Sequence, residues 1–154
     1  MIKVNLREIE KGEVRLYGSV SPAELEIFDE SLFSFPEDIQ YDIEVTMTSG
    51  IVMAQGTLST NAHCKCGRCL KEFDYKLDLR NIFHLYENPV SEEIDLTTDI
   101  REDIIIAFPQ NIICGEDCKG LCPVCGEDRN VVDCGCKVEE PASEVWKALD
   151  ALYK

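Results

Sequence analysis

The chain has 154 residues and a mass of 17.4 kDa, the size of one domain or of one domain with a small appendage. The 30 acidic and 15 basic residues give a formal net charge of -15, which disfavours broad nucleic-acid binding because such binding needs a basic face. A hydrophobic content of 45% is enough for a core. Nine cysteines are far above ordinary usage and indicate either a disulfide framework or bound metal.

The cellular compartment decides between a disulfide framework and bound metal, because disulfides persist in oxidising compartments. Residues 1–16 alternate polar and apolar side chains and lack the uninterrupted apolar run of a secretory signal. The longest strongly apolar stretch, residues 104–108, is far shorter than the roughly 18 residues of a membrane span. We therefore expect a soluble protein of a reducing compartment with no membrane partner, in which clustered cysteines bind metal more often than they form disulfides.

The first part of the chain has the alternation of β-strands. Residues 2–6 and 14–20, separated by Glu10-Lys11-Gly12, predict a β-hairpin. The acidic stretch 21–38 contains two prolines and predicts a connection with one short helix around residues 23–28.

Two longer alternating patterns follow. Residues 41–47 and 52–58 predict a second antiparallel hairpin with Ser49-Gly50 as its turn. Residues 73–85 predict a long strand whose apolar face is interrupted only by Asn81. The first group of cysteines precedes this strand and is therefore expected at a connection between two strands.

Two helices are predicted in the second half. Asp99 and Glu102 are typical of a helix start, the apolar residues 100, 104 and 108 share a face, and Pro109 ends the pattern. A carboxy-terminal helix is predicted from Pro141, with an apolar stripe formed by Val145, Leu149 and Leu152, flanked by Trp146 and Tyr153.

These elements predict an α+β fold, in which an antiparallel β-sheet of hairpins is joined by a short central helix, a cysteine-rich zinc-binding segment and a C-terminal helix. Residues 1–110 form the β-rich domain with one short helix. Residues 111–154 form the zinc-binding segment and the last helix, which pack on the same domain.

The carboxy-terminal cysteines have the spacing of metal ligands. Cys122-Pro-Val-Cys125-Gly can turn two thiolates toward one ion, and its glycine allows the backbone to direct amide groups at the sulfur atoms. A tetrahedral zinc ion needs two more ligands, and Cys134 and Cys136 are the nearest later pair. One local four-cysteine site is therefore predicted.

The remaining cysteines suggest a second site. Cys66 and Cys69 repeat the two-residue spacing, and Cys114 and Cys118 can complete four ligands, which leaves Cys64 as a spare thiol. In an alternative partition, Cys66 and Cys69 face Cys122 and Cys125, and the other four bind a second ion. The sequence thus predicts one or two zinc ions without determining the ligand pairing.

A zinc ion held by four thiolates has no open position for water or substrate, so its expected role is to hold the fold. Both histidines, His63 and His84, lie in strand-like alternation, where a side chain on the strand face is the simplest interpretation. No phosphate-binding loop, nucleophile elbow or paired-histidine motif is present. We therefore expect neither enzymatic activity nor a small-molecule substrate.

Residues 61–80 differ in charge from the acidic segments around them. Five basic residues outnumber three acids there, whereas residues 21–60 contain eight acids and no base. One interpretation is an ordinary solvated strand face. The other is a small contact site for RNA or a partner beside the first cysteines, formed by Lys65, Arg68, Lys71 and Lys76.

Three motifs resemble the YceD family of large ribosomal RNA subunit accumulation proteins. They are Cys64-Lys-Cys-Gly-Arg-Cys-Leu70, Arg101-Glu-Asp-Ile-Ile-Ile-Ala-Phe-Pro109, and Cys114-x3-Cys118-Lys-Gly-Leu-Cys-Pro-Val-Cys-Gly126. The tail from Glu140-Pro141 to Leu149 is also similar. After the last glycine, where the family often has Asn-Leu-Asn, this chain has Asp128-Arg129-Asn130.

The resemblance implies a cytoplasmic bacterial protein that supports the synthesis or processing of large-subunit (23S) ribosomal RNA, with no established enzymatic activity. The leading hypothesis is a non-enzymatic, zinc-stabilised factor in ribosome biogenesis whose partner is that RNA or a basic ribosomal protein. The alternative is a redox-switched zinc chaperone or sensor, in which oxidation of the last four cysteines expels zinc. Retention of zinc under peroxide, with no gain in client binding, would exclude the alternative.

Overall fold

The computed structural model describes residues 1–10, 12–28 and 32–137. Within these ranges the elements are β1 (Lys3–Asn5), α1 (Leu6–Ile9), β2 (Val14–Val20), β3 (Phe33–Ser34), β4 (Ile39–Thr48), β5 (Ile51–Lys65), β6 (Glu72–Glu87), β7 (Glu93–Asp95) and α2 (Thr97–Ala107). The predicted α+β class with a mostly antiparallel sheet is confirmed. The helix predicted from Pro141 lies outside the described residues.

The main sheet is built around β5. One edge of β5 pairs with β4 and, further along, with the short β3, while its other edge pairs with β6 over the whole length of β5. β2 pairs with β4 and completes a five-stranded antiparallel sheet. Ser49 and Gly50 connect β4 to β5 with φ angles of 53° and 82°, the positive values that a tight two-residue hairpin turn requires.

The hairpin predicted for residues 2–20 is wrong. β1 pairs with β7, with Val4 opposite Ile94, and the two strands form a separate small sheet. The side chain of Asn5 accepts a hydrogen bond of 2.9 Å from the Arg7 N–H and caps α1, which ends the first strand before it can turn back. β2 pairs with β4 instead.

The short helix predicted around residues 23–28 is also wrong. The described chain turns there, with hydrogen bonds from the Leu25 and Ile27 N–H groups to the Pro22 carbonyl. Glu26 has a φ of 54°, so the backbone leaves the helical region after one turn. This turn buries Leu25 and Ile27 in the core.

The long strand predicted over residues 73–85 is present as β6, but its apolar face is not continuous. Arg80 and Asn81 both lie opposite Thr57, so β6 contains a β-bulge. Beyond the bulge the buried residue is Ile82, and Phe83 and Leu85 are exposed on the opposite face. The prediction that all these apolar residues share one face is therefore wrong.

One face of the main sheet carries the core. Side chains from β4, β5 and β6 pack there against β1, β7 and the buried residues Ile100 and Ile104 of α2. Polar contacts also connect α2 to β6: His84 Nε2 lies 2.7 Å from the Asp103 carboxylate, and the Tyr86 hydroxyl donates to Asp99. Burial and this hydrogen bond raise the pKa of Tyr86.

The chain leaving α2 is directed back to the loop between β5 and β6. The Gly67 N–H donates to the Ile112 carbonyl at 2.7 Å, which brings the cysteines on these two segments together. Of the described helices, none has the length and apolar character needed to cross a membrane.

Candidate metal centres

The loop between β5 and β6 and the segment after α2 together form one group of four thiols, here called cluster A. The Sγ atoms of Cys66, Cys69, Cys114 and Cys118 all lie within 4.8 Å of one another. The Sγ–Sγ distance is 3.8 Å between Cys66 and Cys118 and 3.6 Å between Cys69 and Cys114. A tetrahedral ion with bonds of about 2.3 Å to sulfur separates its ligands by about 3.8 Å, so these distances suit zinc.

The second group, here called cluster B, is local in sequence. The Sγ atoms of Cys122, Cys125, Cys134 and Cys136 also lie within 4.8 Å of one another. The structure therefore brings together the two sets of four that the spacing suggests. The alternative partition, with Cys66 and Cys69 facing Cys122 and Cys125, is not the arrangement found.

The first two cysteines of each cluster are held by the same backbone turn. In cluster A, the Cys66 N–H donates to the Lys71 carbonyl, and the Cys66 carbonyl accepts from the Leu70 N–H. In cluster B, the Cys122 N–H donates to the Glu127 carbonyl, and the Cys122 carbonyl accepts from the Gly126 N–H. The fourth residue after the first cysteine has a φ of 61° at Leu70 and 78° at Gly126. Leu70 thus adopts a conformation that favours glycine.

These turns direct amide groups at one sulfur atom in each cluster. Burial by itself would raise the pKa of Cys66, but the backbone N–H groups of Cys69, Cys114 and Arg68 lower it to about 6. In cluster B, the N–H groups of Cys125 and Val124 lower the pKa of Cys122 to about 6. One thiol in each cluster is therefore prepared to ionise near neutral pH.

One other thiol in each cluster has a pKa shifted in the opposite direction. The hydrogen bond from Cys69 raises the pKa of Cys114 to about 12, and that from Cys125 raises the pKa of Cys136 to about 12. Four sulfur atoms at these distances cannot all carry negative charge unless a cation compensates them. A divalent ion would reverse these shifts and bind all four as thiolates, which is how the donor set fits a metal.

The two clusters differ in the burial of their cysteines and in the sequence separation of the segments that they connect. Cys66, Cys69 and Cys118 are buried, and cluster A connects segments 45 to 52 residues apart. In cluster B, Cys125 and Cys136 are exposed, and the cluster closes only the short loop of residues 122–136. An ion in cluster A would therefore stabilise the whole fold, whereas an ion in cluster B would stabilise a local loop.

Asn130 supports cluster A, although sequence reasoning did not select it. Its Nδ2 lies 3.6 Å from Cys118 Sγ, and its Oδ1 accepts a 2.8 Å hydrogen bond from the Lys119 N–H. Asp128 in turn accepts hydrogen bonds from the Asn130 backbone and side chain. The available signal was the Asp128-Arg129-Asn130 sequence, whose last residue agrees with the family pattern.

Replacing Asn130 by alanine is expected to weaken metal binding at cluster A by about tenfold or more, because outer hydrogen bonds orient the ligands of a metal. Metal released to a chromophoric chelator measures this effect. The exposed Asn111 offers a matched control, and Asn111→Ala should release metal as the unmodified protein does. Equal release from both variants would show that Asn130 does not support the cluster.

Acidic residues lie beside the basic residues that were suggested as a contact site. Arg68 donates to the Cys118 carbonyl at 3.2 Å, and Lys65 lies opposite Glu72 in the strand pair. Lys71 lines a surface cavity together with Glu116, Asp117 and Asp128, and Lys76 lines another with Glu37 and Asp38. Acidic residues from distant parts of the chain thus surround these side chains.

The remaining thiol and the other histidine lie on opposite faces of β5. Cys64 is buried in the core, and this burial raises the pKa of its thiol. His63 is exposed, 3.0 Å from Asp74, whose hydrogen bond raises the pKa of the imidazole. Neither residue belongs to a cysteine cluster.

Comparisons with known proteins agree with the motifs in the second half of the chain. A family model described as Large ribosomal RNA subunit accumulation protein YceD matches residues 85–153. Uncharacterised proteins of Mycobacterium bovis and of two Mycobacterium tuberculosis strains are each 29% identical over 103 residues, which covers 57% of this chain and 50% of theirs. The chain thus spans about half the length of the curated relatives it matches. No solved structure matches the chain.

The matched segment contains α2, all of cluster B and two cysteines of cluster A. The resemblance to the YceD family, inferred from the motifs, is therefore confirmed over residues 85–153.

Proposed function

We propose that this protein is a non-enzymatic, zinc-stabilised factor that supports the synthesis, processing or accumulation of large-subunit (23S) ribosomal RNA in the cytoplasm. The observation that carries this proposal is the YceD match over the segment that contains six of the eight clustered cysteines. The family description refers to large ribosomal RNA subunit accumulation, and it is extended here to the whole chain.

Zinc is the metal that the donor set favours. Eight thiols in two groups of four are soft ligands, and the spacing of their sulfur atoms suits tetrahedral coordination. Four thiolates leave no position for a substrate or a reactive water, so the zinc holds the structure and takes no part in chemistry. This supports a binding factor and not an enzyme.

A basic ribosomal protein is a better partner than RNA itself. The formal charge of the chain is -15, and acids accompany Lys71 and Lys76. RNA phosphates would be repelled by such a surface, whereas a protein rich in lysine and arginine would be attracted to it. The factor would then influence ribosomal RNA through a protein that binds this RNA.

Chemical crosslinking followed by affinity capture from growing cells is expected to recover basic ribosomal proteins of the large subunit. A variant in which Lys65, Lys71 and Lys76 are all replaced by glutamine should recover the same proteins, because these lysines are not the contact. Loss of recovery in this variant would favour the RNA contact instead. If neither ribosomal proteins nor ribosomal RNA precursors exceed background, the proposed function is wrong.

A further inference from the structure

β6 is an edge strand of the main sheet. One of its edges pairs with β5, and among the residues that the structure describes none forms a backbone hydrogen bond with its other edge. The polar contacts of α2 with β6 lie beyond the β-bulge, at His84 and Tyr86. Residues 72–79, before the bulge, therefore present unpaired backbone N–H and C=O groups with which a further strand can pair.

The solvent-facing side chains of this segment carry positive and negative charges in equal number. They lie two residues apart along the strand and are Asp74, Lys76, Asp78 and Arg80. Their two acids and two bases sum to zero, in a chain whose formal net charge is -15. Two copies of the chain can therefore approach along this edge without the repulsion that a more acidic part of the surface would cause.

In one register, an antiparallel pair of β6 strands from two copies places each of these charges opposite a charge of the other sign. With the two-fold axis at Leu77, Asp74 lies opposite Arg80 of the second copy, and Lys76 lies opposite its Asp78. With the axis at Lys76 or at Asp78, that residue faces its own copy, so like charges meet. The charge pattern thus selects the register with the axis at Leu77.

The ion pairs already present on this face are compatible with such a contact. The Arg80 guanidinium lies 2.7 Å from the Asp78 carboxylate, and the His63 ring lies 3.0 Å from Asp74. A guanidinium has five N–H donors and a carboxylate has two acceptor oxygen atoms, so each can bond to a second group. The contacts between copies would extend these pairs into a network without breaking them.

The acids that share a cavity with Lys76 do not belong to this edge. Glu37 and Asp38 line that cavity and directly precede β4. β4 pairs with the edge of β5 that faces away from β6. These two acids are therefore separated from the free edge of β6 by β5.

The other face of the same segment is apolar and only partly covered. Leu77 is buried, whereas Tyr75 and Leu79 beside it pack on the core but are half-buried. The register with the axis at Leu77 also places Tyr75 opposite Leu79 of the second copy, on the core side of the sheet. Pairing thus buries apolar surface that the single chain leaves in contact with solvent.

We propose that two copies of this chain associate through β6 and join their main sheets into one continuous antiparallel sheet. The contact is short, because the bulge at Arg80-Asn81 ends the regular pairing, and a contact of this size is weak and reversible. It is two-fold symmetric, so each pair of opposite charges occurs twice. This self-association goes beyond the proposed function and does not depend on it, since it needs no ribosomal component.

Sedimentation velocity of the full-length, metal-loaded protein at micromolar concentrations should show an equilibrium between monomer and dimer. Lys76→Glu should weaken the dimer by at least about tenfold, because it places like charges opposite each other at two symmetric positions. Lys76 forms no ion pair with any described residue, so this substitution breaks none within the chain. Arg7→Glu is the matched control: it makes the same charge change in α1, at a side chain that is 71% exposed, and should leave the dimer unchanged.

A mixture of two variants tests the register itself. Lys76→Glu and Asp78→Lys each place like charges opposite each other in their own dimer, so each alone should stay monomeric where the unmodified protein dimerises. In an equimolar mixture every charge meets one of the opposite sign, and dimers should form about as tightly as in the unmodified protein.

Three results would overturn the inference. They are a monomer at every concentration of the unmodified protein, equal effects of Lys76→Glu and Arg7→Glu, and a mixture that contains no more dimer than the two variants form separately.

Discussion

Replacing Cys69 by serine is expected to release one metal ion per chain and to lower the free energy of unfolding by about 4 kcal/mol. This is the linkage stabilisation from an ion present at about 1,000 times its Kd. The Cys69 Sγ lies 3.6 Å from that of Cys114, so cluster A ties the loop between β5 and β6 to the chain after α2. Metal content after dialysis and urea unfolding in excess zinc measure the two effects.

Two further variants make this prediction specific. Cys64→Ala should keep the full metal content, because Cys64 lies in the apolar core. Cys122→Ser should also release one ion, but it should change the stability of the sheet by only about 1 kcal/mol, since the loop closed by cluster B is local. Retention of both ions by Cys69→Ser, or loss of one by Cys64→Ala, would contradict the ligand assignment.

The cysteine spacing identified the eight thiols that the structure gathers and suggested the division that is found, but it left a second division open. Spacing shows which two cysteines one turn can direct at the same ion, as in Cys66-x2-Cys69 and Cys122-x2-Cys125. The division depends on which loops meet in space. That meeting is a tertiary effect, visible in the hydrogen bond between Gly67 and Ile112.

The alternation of apolar residues identified strands more reliably than their partners. β6 lies where the pattern predicts it, and β5 begins there but continues beyond residue 58 to Lys65. By contrast, β1 pairs with β7, far along the chain, and not with β2. A period of two residues specifies an extended backbone and says nothing about its neighbour. The bulge at Arg80-Asn81 had one sequence signal, a polar Asn81 within an apolar face.

The charge of residues 61–80 is a second property that the sequence alone describes incompletely. Counting charges along residues 61–80 gives a local excess of bases, but the surface is assembled from several parts of the chain. Glu37 and Asp38 share a cavity with Lys76, and Glu116 shares one with Lys71. Local net charge in the sequence therefore overstates the positive potential around these lysines.

Gly56→Ala is expected to lower the free energy of unfolding by about 3 kcal/mol, the upper part of the usual range for overpacking. Gly56 lies in β5 opposite Ile43 of β4, immediately before the register shift. A Cβ atom there would lie 2.2 Å from the Asp42 carbonyl oxygen and 2.7 Å from the Ile43 Cα. Both are backbone atoms of a paired strand, so the sheet itself must move to accommodate the methyl group.

Gly115→Ala is the matched control, because a Cβ at Gly115 would meet no atom within 4 Å. Urea unfolding of the two variants in excess zinc compares a close approach in the sheet with an open site beside cluster A. Metal content should stay unchanged in Gly56→Ala, since its effect lies in the sheet and not at the ligands. A loss of less than about 1 kcal/mol would mean that β4 and β5 do not approach closely at Gly56, because backbone crowding of this kind costs more.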